Sequence, residues 1–582
     1  MIFTLKWLYP YWKKHTARVM LIIVFGMVGA VLHVLTPILI KNIIDGLSDN
    51  ANYTYIRINV FLILAVGFGI YLIDVIAMRA RAWMNIHLEW EFRQNVFNHI
   101  IKLDQSFYHK YTTGDLVTRL IDDISKKISW FSCSGVFRFI QSGFTLIAVI
   151  SAMIYFNLSL ALWILLPLPL MFTLSIKAGR LLTKKYNLLQ NTISAIYDFL
   201  ETCFTGVKII KANSKEKAQC DYFAIKADEK KEAEIQTGRL DIVFSYFYHY
   251  AGFLCIVILY AVGGGQVIDG KITLGELIAF QFYAAMLVFP LMDISQFFVA
   301  GNRAGVSIKR INELLKQKTK IHISKNVEIL NENINKIEFT KVSFSVTANK
   351  SYLLKDISFS AEKGERIAIV GKIGCGKTSL LKLILRLEEY SDGSIIINTK
   401  DIRKIDITTI RKKISFVSQE AYIFSDTILN NITMGRKDIS AQAIEKALKV
   451  SQLAQDMTKF PKGLNTFVGT RGLSISGGQK QRLSLARALS INPEVLVLDD
   501  ATSAMDALTE ENFWRTFKKE FPQTICLLAT HRIKTIEKSD HIITLSSGRI
   551  AEQGKHKELM AANGLYKEIY EREKLQEELR DK

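Results

Sequence analysis

Gly371-Lys-Ile-Gly-Cys-Gly-Lys-Thr378 fits G-x-x-x-x-G-K-[ST], a loop whose glycines let backbone N–H groups close on a polyphosphate. Its context argues against an accidental match. Arg366-Ile-Ala-Ile-Val370 is a short β-branched strand running into the loop, and Ser379 to Arg386 reads as the helix behind it. Gly371, Lys372, Ile373, Gly374, Cys375, Gly376, Lys377, Thr378 and Ser379 are therefore the expected nucleotide-binding residues. Lys377 suits the β- and γ-phosphates, and Thr378 suits Mg²⁺. Further on, Glu494-Val-Leu-Val-Leu-Asp499 reads as a buried strand ending in a carboxylate, and Asp499 is the acid expected beside the Mg²⁺. Ile475-Ser-Gly-Gly-Gln479 is polar and glycine-rich and has no evident packing role.

These residues need a folded scaffold, and the chain supplies two kinds. At 582 residues it is too long for one ordinary core. Hydrophobic residues make up 49% and charged residues 22%, a balance suited to a membrane half joined to a soluble half. The net charge of +20 fits either a nucleic-acid-binding face or a cytoplasmic membrane surface. Charge placement favours the membrane. Lys6, Lys13, Lys14 and Arg18 precede any acid, whereas Ile43 to Thr54 holds Asp45 and Asp49 but no Lys or Arg. No nucleic-acid partner is expected. Six scattered cysteines (133, 203, 220, 255, 375 and 526) form no disulfide or zinc pattern.

Runs of about 20 apolar residues place spans near 18–42, 55–79, 135–156, 158–176, 244–266 and 274–299. Residues 1–17, with Phe3, Leu5, Trp7, Leu8 and Tyr9 among lysines, read as an interfacial helix on the inner leaflet. The gaps 80–134 and 177–243 are long, helical in pattern and poor in breakers, so they predict cytoplasmic arms. One arm turns at Thr112-Thr-Gly-Asp115 and the other near Glu201 to Val207. The expected organisation is 1–17 interfacial, 18–308 six-span transmembrane, 309–335 linker and 336–582 ATPase. The fold class is an all-α membrane domain plus an α/β P-loop domain. Within the spans, His33, Asp74, Arg138, His249, Gln281 and Asp293 are polar. They either line a substrate path or hold helices together, with Asp74 and Arg138 a possible pair.

Together, the phosphate loop and Ser476-Gly-Gly-Gln479 resemble the nucleotide-binding domain of the ABC ATPase family. Ser106-Phe-Tyr-His, Gly114-Asp-Leu-Val-Thr-Arg119 and Glu201 to Ala212 resemble the intracellular loops of its six-helix exporters. The resemblance implies an ATP-driven pump in a bacterial cytoplasmic membrane, its ATPase inside, moving an unidentified solute by export or flipping among membrane lipids. Gating by a weakly hydrolysing subunit and import of a siderophore are the alternatives. It assigns Asp499 to the Walker B strand, Gln419 to metal and water, His531 to the γ-phosphate and Asp506 to the D-loop. Ser476, Gly477, Gly478 and Gln479 would bind nucleotide held by another subunit, which implies a dimer of half-transporters.

Two positions depart from the family pattern. Asp500 replaces the usual glutamate that polarises the attacking water, and Val346 falls where an adenine-stacking aromatic is usual, with Phe344 or Tyr352 as substitutes. Both resemble the weak-hydrolysis half of heterodimeric exporters. A heterodimer is therefore expected over a homodimer, with Asp500, His531 and Gln419 as this chain's catalytic set.

Overall fold

The computed structural model describes residues 1–48, 52–319, 321, 327–345, 352–469 and 475–580. The chain divides into two compact units. One comprises Met1–Lys102 and Tyr111–Gln317, the other Leu103–Lys110 and Lys318–Lys582.

The first unit is helical throughout. Helix Ile2–Lys14 buries Leu8 and leaves Phe3 and Tyr9 exposed. Trp7 and Tyr11 meet Phe92, and the Trp12 indole donates to the Ser132 carbonyl at 2.9 Å. One face of this helix therefore packs on protein, and apolar side chains remain on the other. Among the described residues, four helical stretches are long and apolar enough to cross a membrane: Thr16–Ser48, Tyr53–Ile100, Thr113–Phe156 and Leu274–Leu315. Tyr53–Ile100 rises roughly 70 Å at the α-helical ~1.5 Å per residue, more than twice a ~30 Å hydrocarbon core.

The remaining apolar segments differ from the continuous spans that the sequence suggests. Residues 158–176 are broken: Leu158–Leu165 ends in a turn, and Pro167 leads the next helix, Leu168–Thr205. Proline has no N–H to continue the preceding helix but suits the start of a new one. Residues 244–266 cross from helix Glu216–Ile258 into a π-helical turn, Leu259–Gly263. The charged stretch after Lys309 also differs, because helix Val288–Leu315 runs into the expected linker. From Lys309 to Leu315 the sequence has no proline to stop the helix.

A short helix, Val207–Ala212, follows the second expected turn; Gln105–Lys110, which precedes the first in sequence, belongs to the second unit. Thr112 caps the helix that follows the first tip, its hydroxyl accepting from the Asp115 N–H at 3.3 Å. Asp74 faces His33 at 3.7 Å, and among the described residues it makes no ion pair with Arg138. Asp293 accepts from the Ser142 hydroxyl at 2.8 Å, and Gln281 accepts from Tyr260 at 2.7 Å. The side chain of His249 lies outside the described residues. At one end of the bundle, Asp45 accepts from Thr273 Oγ1 and the Gly275 N–H, both at 3.0 Å, and pairs with Lys41. A Cβ on Gly275 would sit 2.5 Å from the Asp45 carboxylate and 2.6 Å from the Lys41 carbonyl, so glycine permits this close approach.

Among the described residues the second unit has these strands: β1 (Lys336–Ser345), β2 (Tyr352–Glu362), β3 (Arg366–Gly371), β4 (Asp392–Ile397), β5 (Lys400–Asp401), β6 (Ile414–Val417), β7 (Asp426–Thr427), β8 (Phe467–Val468), β9 (Val495–Asp499), β10 (Ile525–Ala529), β11 (His541–Ser546) and β12 (Arg549–Gly554). A six-stranded sheet runs β12-β11-β3-β10-β9-β6, parallel except for β12, and a four-stranded antiparallel sheet runs β2-β1-β4-β5. The central strands are buried on both faces. Ile367, Ile369, Val495, Val497 and Leu527 pack with the antiparallel sheet, while Ala368, Val370, Leu496, Leu498 and Leu528 pack beneath the helices. That double burial explains the unbroken apolar runs Arg366–Val370 and Val495–Leu498.

Candidate active site

Parallel strands share a carboxyl end, so the residues that follow β3, β6, β9 and β10 are brought together from four separated stretches of sequence. A cavity of about 300 Å³ opens there, lined by Lys377, Thr378 and Ser379, by Gln419, by Asp499 and Asp500, and by His531. Ile373, Gly374, Gly376, Leu353 and Ala529 complete its wall.

The loop after β3 is shaped by backbone conformation. Gly376 has φ +104°, and a Cβ there would lie 2.6 Å from Leu354 Cδ2, so a larger residue would be both strained and crowded. The helix it caps, Lys377–Ile384, has no side-chain cap, so its first N–H groups lack intrahelical partners, the arrangement anion binding uses. Lys377 Nζ donates to the carbonyls of Gly371 (2.7 Å) and Lys372 (3.2 Å), which holds a cation over the loop.

Asp499 ends β9. Burial pushes its carboxyl above the ordinary carboxylate range, opposed by a hydrogen bond from Thr378 and by the charges of Lys382 and Lys377. A desolvated carboxylate beside a hydroxyl is a hard oxygen set, and it suits Mg²⁺. Asp500 has φ +47°, and its N–H donates to the Ala529 carbonyl at 2.8 Å, which ties the turn after β9 to the end of β10. Burial raises Asp500 as well; His531 opposes the rise and Asp499 adds to it.

Ser476 lies elsewhere in the unit, and none of Ser476, Gly477, Gly478 and Gln479 lines the cavity. It caps helix Gly477–Leu489 in a reciprocal box: Ser476 Oγ accepts from the Gln479 N–H at 3.3 Å, and Gln479 Oε1 accepts from the Ser476 N–H at 3.0 Å. Asp506 caps the next helix, Ala507–Glu520, accepting from the Thr509 N–H at 2.9 Å. Val346 lies outside the described residues. Neither proposed substitute lines the cavity: Phe344 is buried in the core, and the Tyr352 hydroxyl donates to Asp392 at 2.8 Å. The apolar wall residue from β2 is Leu353.

Residues 19–291 match the family model of the ABC transporter transmembrane region, and residues 354–503 match the ABC transporter model. A probable multidrug resistance ABC transporter ATP-binding/permease protein of Bacillus subtilis (strain 168), YheI, is 30% identical over 97% of this chain and 96% of its own length. The chain is an ABC transporter. The multidrug resistance-like ATP-binding protein MdlA of Escherichia coli (strain K12) is 27% identical over 98% of this transporter and 96% of that protein. In fold the transporter is similar to a bacterial Atm1-family ABC exporter with ATP bound, at a TM-score of 0.81 and 24% identity, covering 96% of this chain and 98% of the other.

The transporter is a multi-pass membrane protein with a cytoplasmic ATPase domain that binds ATP and couples its hydrolysis to transport. It carries one transmembrane region and one ATPase domain, and such half-transporters work as dimers.

Three groups around the transporter's site carry no motif. Gln481 donates to Ser503 Oγ (3.1 Å) and accepts from the Ala504 N–H (2.8 Å). Arg532 donates to the carbonyls of Ser503 (2.8 Å) and Met505 (2.7 Å). The D-loop backbone is thereby held between the signature helix and the residue after His531. Finally, helix Leu565–Arg580 sets Glu573 3.6 Å from His531 Nδ1 and Glu568 3.7 Å from Lys372. An acidic pair five residues apart is a hint available from sequence, but only the docked helix gives it a target.

Proposed function

We propose that the cavity at the ends of β3, β6, β9 and β10 binds Mg²⁺-ATP, and that this chain is the slower half of a heterodimeric six-span exporter. The convergence of Lys377, Thr378, Gln419, Asp499, Asp500 and His531 on one cavity carries the reading. Lys377 and the amides of Gly374 to Ser379 hold the phosphates. Thr378, Asp499 and Gln419 hold the Mg²⁺, which supplies charge neutralisation when bound. His531 contacts the γ-phosphate, and Asp500 accepts a proton from the attacking water.

Two effects at Asp500 oppose each other. Burial makes the carboxylate a better base by lifting its pKa toward neutrality. Its side chain is one methylene shorter than glutamate, and misplacement by about an ångström costs up to ~100-fold in rate. The shorter reach dominates, so hydrolysis at this site is slow. Ser476 to Gln479 and Asp506 then serve the site of an unlike partner that carries glutamate at the position of Asp500. Two nucleotides lie between the subunits, and closure of the ATPase pair drives alternating access through differential affinity for the closed state.

The multidrug names of the relatives support amphipathic, drug-like solutes as cargo. ATP turnover of the chain purified alone and of the chain purified with its partner, with and without such solutes, tests the reading. Turnover by the lone chain as fast as that of the pair overturns the heterodimer. Lack of ATP-dependent solute accumulation by the pair in inverted vesicles overturns export.

A further inference from the structure

His15, His87 and Glu91 form a cluster far in sequence from the ATPase motifs. His15 follows the interfacial helix Ile2–Lys14. His87 and Glu91 stand one turn apart on Tyr53–Ile100, beyond its apolar stretch, and i,i+4 spacing puts them on one face. One ligand atom from each side chain lies within 4.8 Å of the other two, and His15 Nε2 is 3.7 Å from Glu91 Oε2. The two imidazoles meet edge to face at 4.8 Å.

Two further observations point to a ligand. Glu91 Oε2 is buried and accepts no hydrogen bond from the protein, while Oε1 of the same carboxylate is held by Lys14. The His87 ring is also fixed in plane, stacked on Trp83 at 4.4 Å and 13°, with the Arg18 guanidinium 3.2 Å from the centre of the Trp83 ring. A rigid imidazole and an unmet carboxylate oxygen therefore face a second imidazole.

We propose that His15, His87 and Glu91 bind one transition-metal ion and so tie the interfacial helix to the long helix Tyr53–Ile100. Metal–ligand bonds of ~2.0–2.2 Å in a tetrahedron set the ligand atoms about 3.4 Å apart. The His15–Glu91 separation is nearly there, and side-chain rotation closes the rest. Two imidazoles and one carboxylate, with a water completing four, select Zn²⁺, Co²⁺, Ni²⁺ or Cu²⁺. Mg²⁺ and Ca²⁺ prefer all-oxygen shells. The neighbouring Lys14 and Arg18 charges also oppose an ion held by charge alone, which leaves coordination through nitrogen as the driving contact.

The test uses the full-length, tag-free chain in detergent micelles without nucleotide, titrated with Co²⁺. The expected result is one Co²⁺ per chain with the intense visible absorption of a tetrahedral N/O site, and a rise in Tm with Zn²⁺. His15→Gln, His87→Gln and Glu91→Gln each lose both signals; His109→Gln, at an exposed histidine outside the cluster, keeps them. Melting curves in chelator show whether each variant is folded, and Glu91→Asp, which keeps a carboxylate, retains Co²⁺ binding at reduced affinity. Absence of the absorption in the parent chain overturns the proposal. Its persistence in folded His87→Gln and Glu91→Gln variants overturns it too.

Discussion

The Glu573 carboxylate lies 3.6 Å from His531 Nδ1, so a helix near the end of the chain reaches the residue assigned to the γ-phosphate. A carboxylate on one imidazole nitrogen orients the ring and leaves the other nitrogen for the cavity. Removing such a supporting partner typically costs about tenfold or more. Glu573→Ala is expected to lower ATP turnover by about tenfold with nucleotide affinity unchanged, since the phosphate loop is untouched. Steady-state kinetics beside equilibrium binding of a fluorescent nucleotide would separate the two; an equal loss in both contradicts an orienting role.

Lys377→Ala removes the side-chain cation held over the loop by the Gly371 and Lys372 carbonyls. ATP-driven transport should fall by at least ~100-fold, the scale of losing one preorganised charge donor. Membrane insertion should be intact, because the residue lies in the ATPase unit. Vesicle transport with a protease-protection control checks both halves of the expectation.

Asp500→Glu restores the reach that the shorter side chain lacks. Turnover at this chain's own site should rise, by up to ~100-fold if placement alone limits it. Single-turnover hydrolysis by the assembled pair, with the partner's corresponding glutamate changed to glutamine, reads that site directly. An unchanged rate would mean that something other than the position of this carboxylate sets the speed.

Asp499→Asn probes the burial of the Mg²⁺-side acid. The folded-state pKa of Asp499 is raised, so as pH climbs the unfolded chain ionises first and the folded chain later. Stability that is fully present below the ordinary carboxylate pKa, ~4, is therefore lost as pH rises through the folded value. The nucleotide-free asparagine variant should melt above the parent at pH 7 and level with it near pH ~4, while its ATP turnover is abolished. Paired thermal melts across that range would expose an opposite slope.

Gly275→Ala places a methyl group 2.5 Å from the Asp45 carboxylate and 2.6 Å from the Lys41 carbonyl. The backbone carbonyl cannot rotate away, and overpacking of this kind costs about 1–3 kcal/mol. Tm in micelles should fall, and pairing the change with Asp45→Ala should recover part of the loss. Equal melting of parent and variant would show that the helices slide apart freely at this end.

The phosphate loop, β9 and their common cavity were legible in sequence because each is a local pattern, and parallel pairing then delivers the strand ends to one edge. The apolar runs of β3 and β9 were equally plain, since burial on both faces leaves no polar alternation to misread. Elsewhere the determinants are not local. The break at Pro167 sits inside an apolar run whose composition alone reads as one continuous span. The π-helical geometry of Arg119–Ser129 depends on packing, with Asp123 buried between Ser307 and Arg310 far along the chain. Leu353 lines the cavity instead of its neighbour Tyr352 because strand alternation sends the two side chains to opposite faces. The Gln481 and Arg532 contacts to the D-loop follow from tertiary placement, and no spacing rule reports them.

The capping box at Ser476 has a consequence for the direction of a proton. A hydroxyl has one hydrogen to give and two lone pairs to receive with. Ser476 uses a lone pair for the Gln479 N–H, so its hydrogen stays uncommitted to the cap. An incoming phosphate oxygen can take that hydrogen while the helix end keeps its own bond. On the role proposed for Ser476, docking of a second subunit's nucleotide would add to the local hydrogen bonding without dismantling it, and the serine would need no rearrangement when the two ATPase domains part again.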